Sequence, residues 1–74
     1  MKISYDAAAD AAYIRIVDVI DPGQVDKTYL CDPHEVGGMV NIDLDGDGRI
    51  LGVEVLTASA LLAAEVLAKA DPQG

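Results

Sequence analysis

The chain has 74 residues, of which 51% are hydrophobic, and its 13 acidic and 5 basic side chains give a formal net charge of -8 at pH 7. This length allows one domain, over residues 1–74, and the hydrophobic content excludes a disordered chain. The negative charge argues against binding to nucleic acid or to anionic membrane surfaces, because both attract Lys and Arg. A small basic protein would suit such a chain as a partner.

The hydrophobic residues are mostly small, which predicts a thin core. Phe and Trp are absent, and the only aromatic residues are three tyrosines. One cysteine and one histidine provide neither a disulfide nor a four-ligand zinc site. Small domains without such a staple usually depend on association, so we expect a homodimer or a higher homo-oligomer.

We expect no targeting segment. Lys2 and Asp6 leave no room for the apolar run of a signal peptide, and the longest uncharged stretch, residues 55–64, is shorter than the ~20 residues of a membrane span. We therefore expect a cytoplasmic protein, and no residue pattern indicates a cofactor.

The first half of the chain predicts three strands, over residues 2–5, 11–19 and 27–31. Asp6 is expected to cap the turn after the first strand, and Tyr5 and Tyr13 are expected to form a cross-strand pair. Asp21-Pro22-Gly23 favours a turn.

A hairpin is predicted from residues 39–45 and 49–56, since Asp47-Gly48 between them favours a two-residue turn. That register places Val40 opposite Val55, Ile42 opposite Val53 and Leu44 opposite Leu51. The other face then carries the pairs Asn41–Glu54 and Asp43–Gly52.

A helix is predicted over residues 57–70, ended by Asp71-Pro72. On a helical wheel its apolar arc is wider than one sheet face requires, with Leu62 and Val66 on the side assigned to the sheet. The remaining small and apolar side chains predict the oligomer interface, formed by Ala60, Leu61, Ala64, Leu67 and Ala68.

Residues 43–54 match the spacing of a calcium-binding loop, with Asp43, Asp45 and Asp47 at alternate positions and Glu54 at the twelfth. A calcium loop of this type lies between helices, whereas strand patterns flank this one. The hairpin explains the same residues without a metal, so these three aspartates are kept only as candidate cation ligands.

Two residue groups offer catalytic chemistry. Cys31 and His34 could act as a thiolate and its base or hold one edge of a zinc site. Asp6 and Asp10 could act as an acid and a base. Neither group comes with a predicted cleft or polar partners, so we expect no enzyme and assign no catalytic residue.

Two blocks of the sequence resemble the DUF2283 family, a family of small domains of unknown function. The first runs through Ile3-Ser4-Tyr5-Asp6 and residues 9–14; the second runs from Val40 to Asp45 and through residues 48–56. The resemblance implies a small β-rich domain with a terminal helix and no known catalytic residues. Some family members are similar to proteins encoded beside small toxin-like ribonucleases, which implies an antitoxin role.

Together these patterns predict an α+β fold, with an antiparallel sheet of about five strands and one C-terminal helix on a face. The expected function is a non-catalytic interaction module that forms a homo-oligomer and acts as an antitoxin-like partner of a small basic protein. The alternatives are an ion-binding module that uses Asp43, Asp45 and Asp47, and an enzyme of unknown reaction.

The hairpin predicts that calcium does not drive folding, because Glu54 lies in the second strand, away from the turn carboxylates. Titration with calcium, followed by circular dichroism and calorimetry, should show no stoichiometric transition. A micromolar transition with one bound ion would contradict the hairpin interpretation.

Overall fold

The computed structural model describes residues 1–72, so Gln73 and Gly74, the last residues of the predicted domain, lie outside the described part. The strands are β1 (Lys2–Asp6), β2 (Ala11–Arg15), β3 (Lys27–Leu30), β4 (Val40–Leu44), β5 (Ile50–Leu56) and β6 (Asp71–Pro72). The helices are α1 (Pro33–Val36), α2 (Ala58–Leu61) and α3 (Ala64–Ala68). The predicted α+β class is confirmed.

The strands form one open sheet in the order β3-β4-β5-β2-β1-β6. Every pairing is antiparallel except that of β6 with β1, which is parallel. β6 has two residues and is an addition to the predicted strands, and α1 is one helical turn in a segment predicted as a loop. The second strand ends at Arg15 rather than at residue 19, since Arg15 is its last residue paired with β5.

Strand alternation gives the sheet two different faces. On the first, which we call the helix-covered face, Tyr5, Ala12, Val55 and Val40 follow one another across four neighbouring strands. On the second, the polar face, the corresponding row is Ser4, Tyr13, Glu54 and Asn41. The apolar row is the one that packs against the C-terminal helical residues.

The predicted hairpin register is correct from Val40–Val55 to Asp43–Gly52, but it changes near the turn. Leu44 lies opposite Ile50 rather than Leu51, so β5 carries one extra residue. Three residues connect Asp45 to Arg49. The Asp45 carboxylate stabilises this turn by accepting hydrogen bonds from the N–H groups of Asp47 and Arg49. Gly48 completes this turn with a φ of 82°, where glycine is favoured.

The single helix predicted over residues 57–70 is corrected to two one-turn helices. Leu62 and Ala63 are extended, with ψ values of 143° and 145°, and they separate α2 from α3. Leu61, Leu62 and Leu67 all pack against the core, yet on one straight helix they would point in widely different directions. The break lets all three reach the same sheet face.

The core is thin, as its small residues predicted. Within residues 1–72 the buried hydrophobic residues are Ala12, Leu51, Val55 and Ala58, and Leu51 is the only large side chain that is fully buried. The accessible surface is 4960 Å², compared with about 4300 Å² expected for a monomer of this mass. The molecule is flat, with extents of 33 × 28 × 17 Å, which explains part of the excess.

Among the described residues, no helix has the length and apolar character needed to cross a membrane.

We predict that Leu51→Ala lowers the free energy of unfolding by about 2–5 kcal/mol, since Leu51 is 2% exposed and its truncation leaves a cavity. The matched control is Ile50→Ala, next to it in β5 and 48% exposed, for which the expected loss is below about 1 kcal/mol. Urea denaturation measures both. Equal losses would show that Leu51 is not the centre of the core.

Candidate interaction surface

The Asp10 carboxylate joins the β1–β2 turn to the start of α2. Its Oδ1 accepts hydrogen bonds from the Tyr5 hydroxyl at 2.7 Å and from the Ser59 N–H at 2.9 Å, and its Oδ2 accepts one from the Ser59 hydroxyl at 2.7 Å. The Asp10 carbonyl also accepts from the Ala58 N–H. Asp10 therefore caps α2 from a position far away in the chain.

Hydrogen-bond donors surround both Asp6 and Asp10. Hydrogen bonds from the Ser59 hydroxyl, the Tyr5 hydroxyl and the Ser59 N–H lower the pKa of Asp10, although burial opposes them. Asp6 accepts from the N–H groups of Ala8 and Ala9, as its predicted capping role requires. The two carboxylates thus hold local backbone, and an anionic Asp10 with its oxygens occupied is poorly suited to accept or release a proton near neutral pH.

The predicted pair of Tyr5 and Tyr13 is wrong, because the two side chains lie on opposite faces. Tyr5 pairs with Ala12, whereas Tyr13 pairs with Ser4. The prediction overlooked the exact count of residues around the turn, and a shift of one residue reverses the face of a side chain.

A hydrogen-bonded network occupies the polar face. The Tyr13 hydroxyl donates to Asp43 Oδ2 at 2.8 Å, and the Thr28 hydroxyl donates to Asp43 Oδ1 at 2.7 Å. Tyr13 reaches Asp43 by lying across Gly52, where any side chain would collide with the ring. Burial, the hydrogen bond to Asp43, and the charges of Asp43 and Glu54 raise the pKa of Tyr13 to about 12. The phenol is therefore neutral near pH 7 and unsuited to act as a nucleophile.

A hollow of about 240 Å³ lies at the β1 end of the polar face, lined by Lys2, Ser4, Tyr13, Arg15, Asp71 and Pro72. Lys2 Nζ lies 3.4 Å from the Asp71 carboxylate, and Arg15 Nε donates to the Val17 carbonyl. Both cations thus have contacts within the chain.

The candidate cation ligands are spread over separate contacts. Asp43 lies in the polar-face network, while Asp45 and Asp47 contact the Arg49 guanidinium at 3.1 and 2.9 Å. The N–H of Arg49 is the main cause that lowers the pKa of Asp45. Glu54 accepts from the Asn41 amide, in the predicted register. Within residues 1–72, no three His, Cys, Asp or Glu side chains are arranged to hold a metal ion.

Cys31 and His34 lie at the end of β3 and in α1. Cys31 is half-buried, and Asp32 caps α1 by accepting from the His34 N–H. Cys31 lines an apolar groove of about 300 Å³ together with Leu30, Asp32, Pro33, Met39 and Asn41. Such a lining suits contact with apolar groups and gives the thiol none of the cations that activate a cysteine.

The structure alters the basis of the predicted helix interface. Leu61 and Leu67 pack against the chain's own sheet, while Ala60, Ala64 and Ala68 are exposed on two separate short helices. The break at Leu62–Ala63 removes the continuous stripe on which the interface was placed. Contact of these residues with another chain stays a prediction.

Exposed apolar side chains are concentrated around β3 instead. Of the nine large hydrophobic residues that are exposed in the described part, five lie between positions 25 and 39: Val25, Tyr29, Leu30, Val36 and Met39. All four residues of β3 are exposed, and β3 is the outermost strand of the sheet. We call the free side of Lys27–Leu30 the β3 edge. The sequence predicted this strand but not its place at the end of the sheet.

The fold defines a small α+β domain with an open, mainly antiparallel sheet, and its polar clusters connect strands and turns. The profile described as "Protein of unknown function (DUF2283)" matches residues 2–59. The chain belongs to this family, as the resemblance of its first and last strand blocks predicted. Comparison with curated proteins found no match, and comparison with solved structures found none.

We predict that Tyr13 makes stability fall at alkaline pH. Folding favours its neutral phenol, because the pKa is about 12 in the folded chain and about 10 in an unfolded one. This contribution is complete below pH 10 and is lost as the pH rises through about 12. Tyr13→Phe should therefore flatten the fall in unfolding free energy, measured by urea denaturation, relative to wild type.

The control for this measurement is Ser4→Ala, which changes the cross-strand neighbour of Tyr13 on the polar face without removing a titratable group, and which should retain the wild-type profile. An alkaline fall of the same size in Tyr13→Phe and wild type would contradict the assignment.

Proposed function

We propose that the chain is a non-catalytic protein–protein interaction module that works as a homo-oligomer. The observation that carries this proposal is the concentration of exposed apolar side chains around β3, beside a core that has one fully buried large side chain among residues 1–72. A concentration of exposed apolar side chains is a liability in a monomer and typical of a binding surface.

Surface area supports the same proposal. The accessible surface exceeds the expectation for a monomer by several hundred Å², which approaches the ~800 Å² that each partner buries in an interface of standard size. Self-association would cover apolar side chains that a thin core leaves outside.

A narrower form of the proposal makes the chain an acidic, antitoxin-like partner of a small basic protein in the cytoplasm. Its support is the net charge of -8 and the family resemblance. Attraction between opposite charges would accelerate such an association. Self-association and binding of a basic partner can coexist, since they draw on apolar contacts and on charge respectively.

Sedimentation velocity over a micromolar to millimolar range tests self-association. We predict a concentration-dependent dimer or larger oligomer that becomes stronger as salt rises, because salt screens the repulsion between two chains of charge -8. A monomer at every concentration and salt would contradict the proposal.

The narrower form has the opposite salt dependence. Binding of a small basic protein should weaken as salt rises, because attraction between exposed opposite charges is screened beyond ~8 Å at physiological ionic strength. A basic partner whose affinity does not change with salt would contradict the electrostatic form and leave self-association unaffected.

A further inference from the structure

We infer that two copies of the chain pair through their β3 edges, antiparallel, with Tyr29 opposite Tyr29 of the second copy. This inference rests on the proposed self-association and adds the surface, the symmetry and the register. The result is one continuous sheet that runs through both copies.

The backbone of β3 has hydrogen-bonding groups on its free side. The Cys31 N–H donates to the Val40 carbonyl at 2.9 Å, so Cys31 and Val40 form a hydrogen-bonded pair of the β3–β4 ladder. Such pairs alternate along an antiparallel ladder, which makes Tyr29–Ile42 the next one. The N–H and C=O groups of Thr28 and Leu30 therefore point away from β4, along the β3 edge.

The β3 edge lacks the features that usually prevent strands from pairing. The strand, Lys27–Leu30, contains no proline, its register with β4 is unbroken, and Lys27 is its only charged residue. Tyr29 is 54% exposed and Leu30 is 67% exposed. A second strand can therefore approach, and it would cover two large side chains.

Symmetry restricts the register. A two-fold axis between antiparallel strands is perpendicular to the sheet, so paired residues must lie on the same face. Thr28 and Leu30 share the polar face, and Lys27 and Tyr29 share the helix-covered face. Pairing Thr28 with Leu30 of the second copy satisfies this condition and places the two Tyr29 residues opposite each other on the axis.

The backbone groups select this register over its nearest alternative. Thr28 and Leu30 both offer outward N–H and C=O groups, which gives four hydrogen bonds across the axis. A register centred on Thr28 would instead pair Leu30 with Asp26. The Asp26 N–H already donates to the Leu44 carbonyl at 2.9 Å within its own chain. That register would therefore also form at most four hydrogen bonds, and it would leave the Leu30 carbonyl of each copy without a donor.

The side chains also fit. The Tyr29 pair would be a non-hydrogen-bonded pair, where the Cα atoms are about 4.5 Å apart and the side chains are closest. It would continue the row of Ile42 and Val53 on the helix-covered face. Leu30 would lie beside the methyl group of Thr28 of the second copy on the polar face.

Disulfide trapping tests the register. In a Cys31→Ser background, Tyr29→Cys should form a cross-linked dimer in a glutathione redox buffer, because its Cα spacing falls within the ~4.4–6.8 Å that a disulfide requires. Thr28→Cys is the matched control. Its two copies would be diagonal neighbours, about 7–8 Å apart, and should remain largely uncross-linked. Cross-linking at position 28 rather than 29 would overturn the register.

Charge at the edge tests the surface. Leu30→Lys should raise the dimer dissociation constant about tenfold or more, since the two-fold axis repeats the change at two cross-strand pairs. Val19→Lys is the control, because Val19 is 63% exposed and lies outside every strand. The substitution adds the same charge as Leu30→Lys. It should leave the dissociation constant within about twofold of wild type.

Ala64→Glu separates the β3 edge from the predicted helix interface. Ala64 begins α3 and is exposed, so pairing through β3 leaves the dimer of this variant unchanged. A dimer that dissociates in Ala64→Glu would overturn pairing through the β3 edge, and so would a dimer that Leu30→Lys leaves unaffected. Either result would leave the proposed self-association in place. A wild-type chain that is monomeric throughout would instead overturn the proposed function as well.

Discussion

The shortage of apolar burial is the constraint on which the rest of this structure depends. Two one-turn helices pack against the central strands on one face of the sheet, and Leu51 is the only large side chain that becomes fully buried in the described part. Since each buried side chain contributes only a few kcal/mol, a core of alanines and valines leaves a single chain with a small margin of stability. Polar contacts and association are the two remaining ways to hold the sheet in shape.

The polar contacts are placed where the hydrophobic core is weakest. Asp10 ties the first turn to α2 through Ser59, so the helical segment stays on the sheet although each of its helices is too short to be stable alone. On the opposite face, Asp43 joins β2, β3 and β4 through Tyr13 and Thr28. Acidic residues that resemble a reactive or metal-binding cluster in the sequence thus serve mainly to connect strands and turns.

Local sequence patterns were sufficient for much of the fold. Alternation of apolar and polar residues located β4 and β5 and their register as far as Asp43–Gly52, because one face must be apolar and a shift of one residue would expose it. The break at Leu62–Ala63 was not predictable in this way, since both residues suit a helix and only the need to direct Leu61, Leu62 and Leu67 onto one surface separates α2 from α3. The Asp10–Ser59 contact spans 49 positions, and the place of β3 at the end of the sheet depends on strand order, so neither left a local signal.

Protection of the β3 backbone is the most direct measure of whether a second copy covers this edge. Hydrogen exchange of the Thr28 and Leu30 amides can be followed by NMR at several protein concentrations, with Tyr29 as the internal reference because its amide faces β4. Pairing through β3 predicts that amide exchange at Thr28 and Leu30 slows as the protein concentration rises. The ratio of their exchange rates to the rate of Tyr29 should then approach one. Fast exchange at Thr28 and Leu30 in a sample that sedimentation shows to be dimeric would contradict the account.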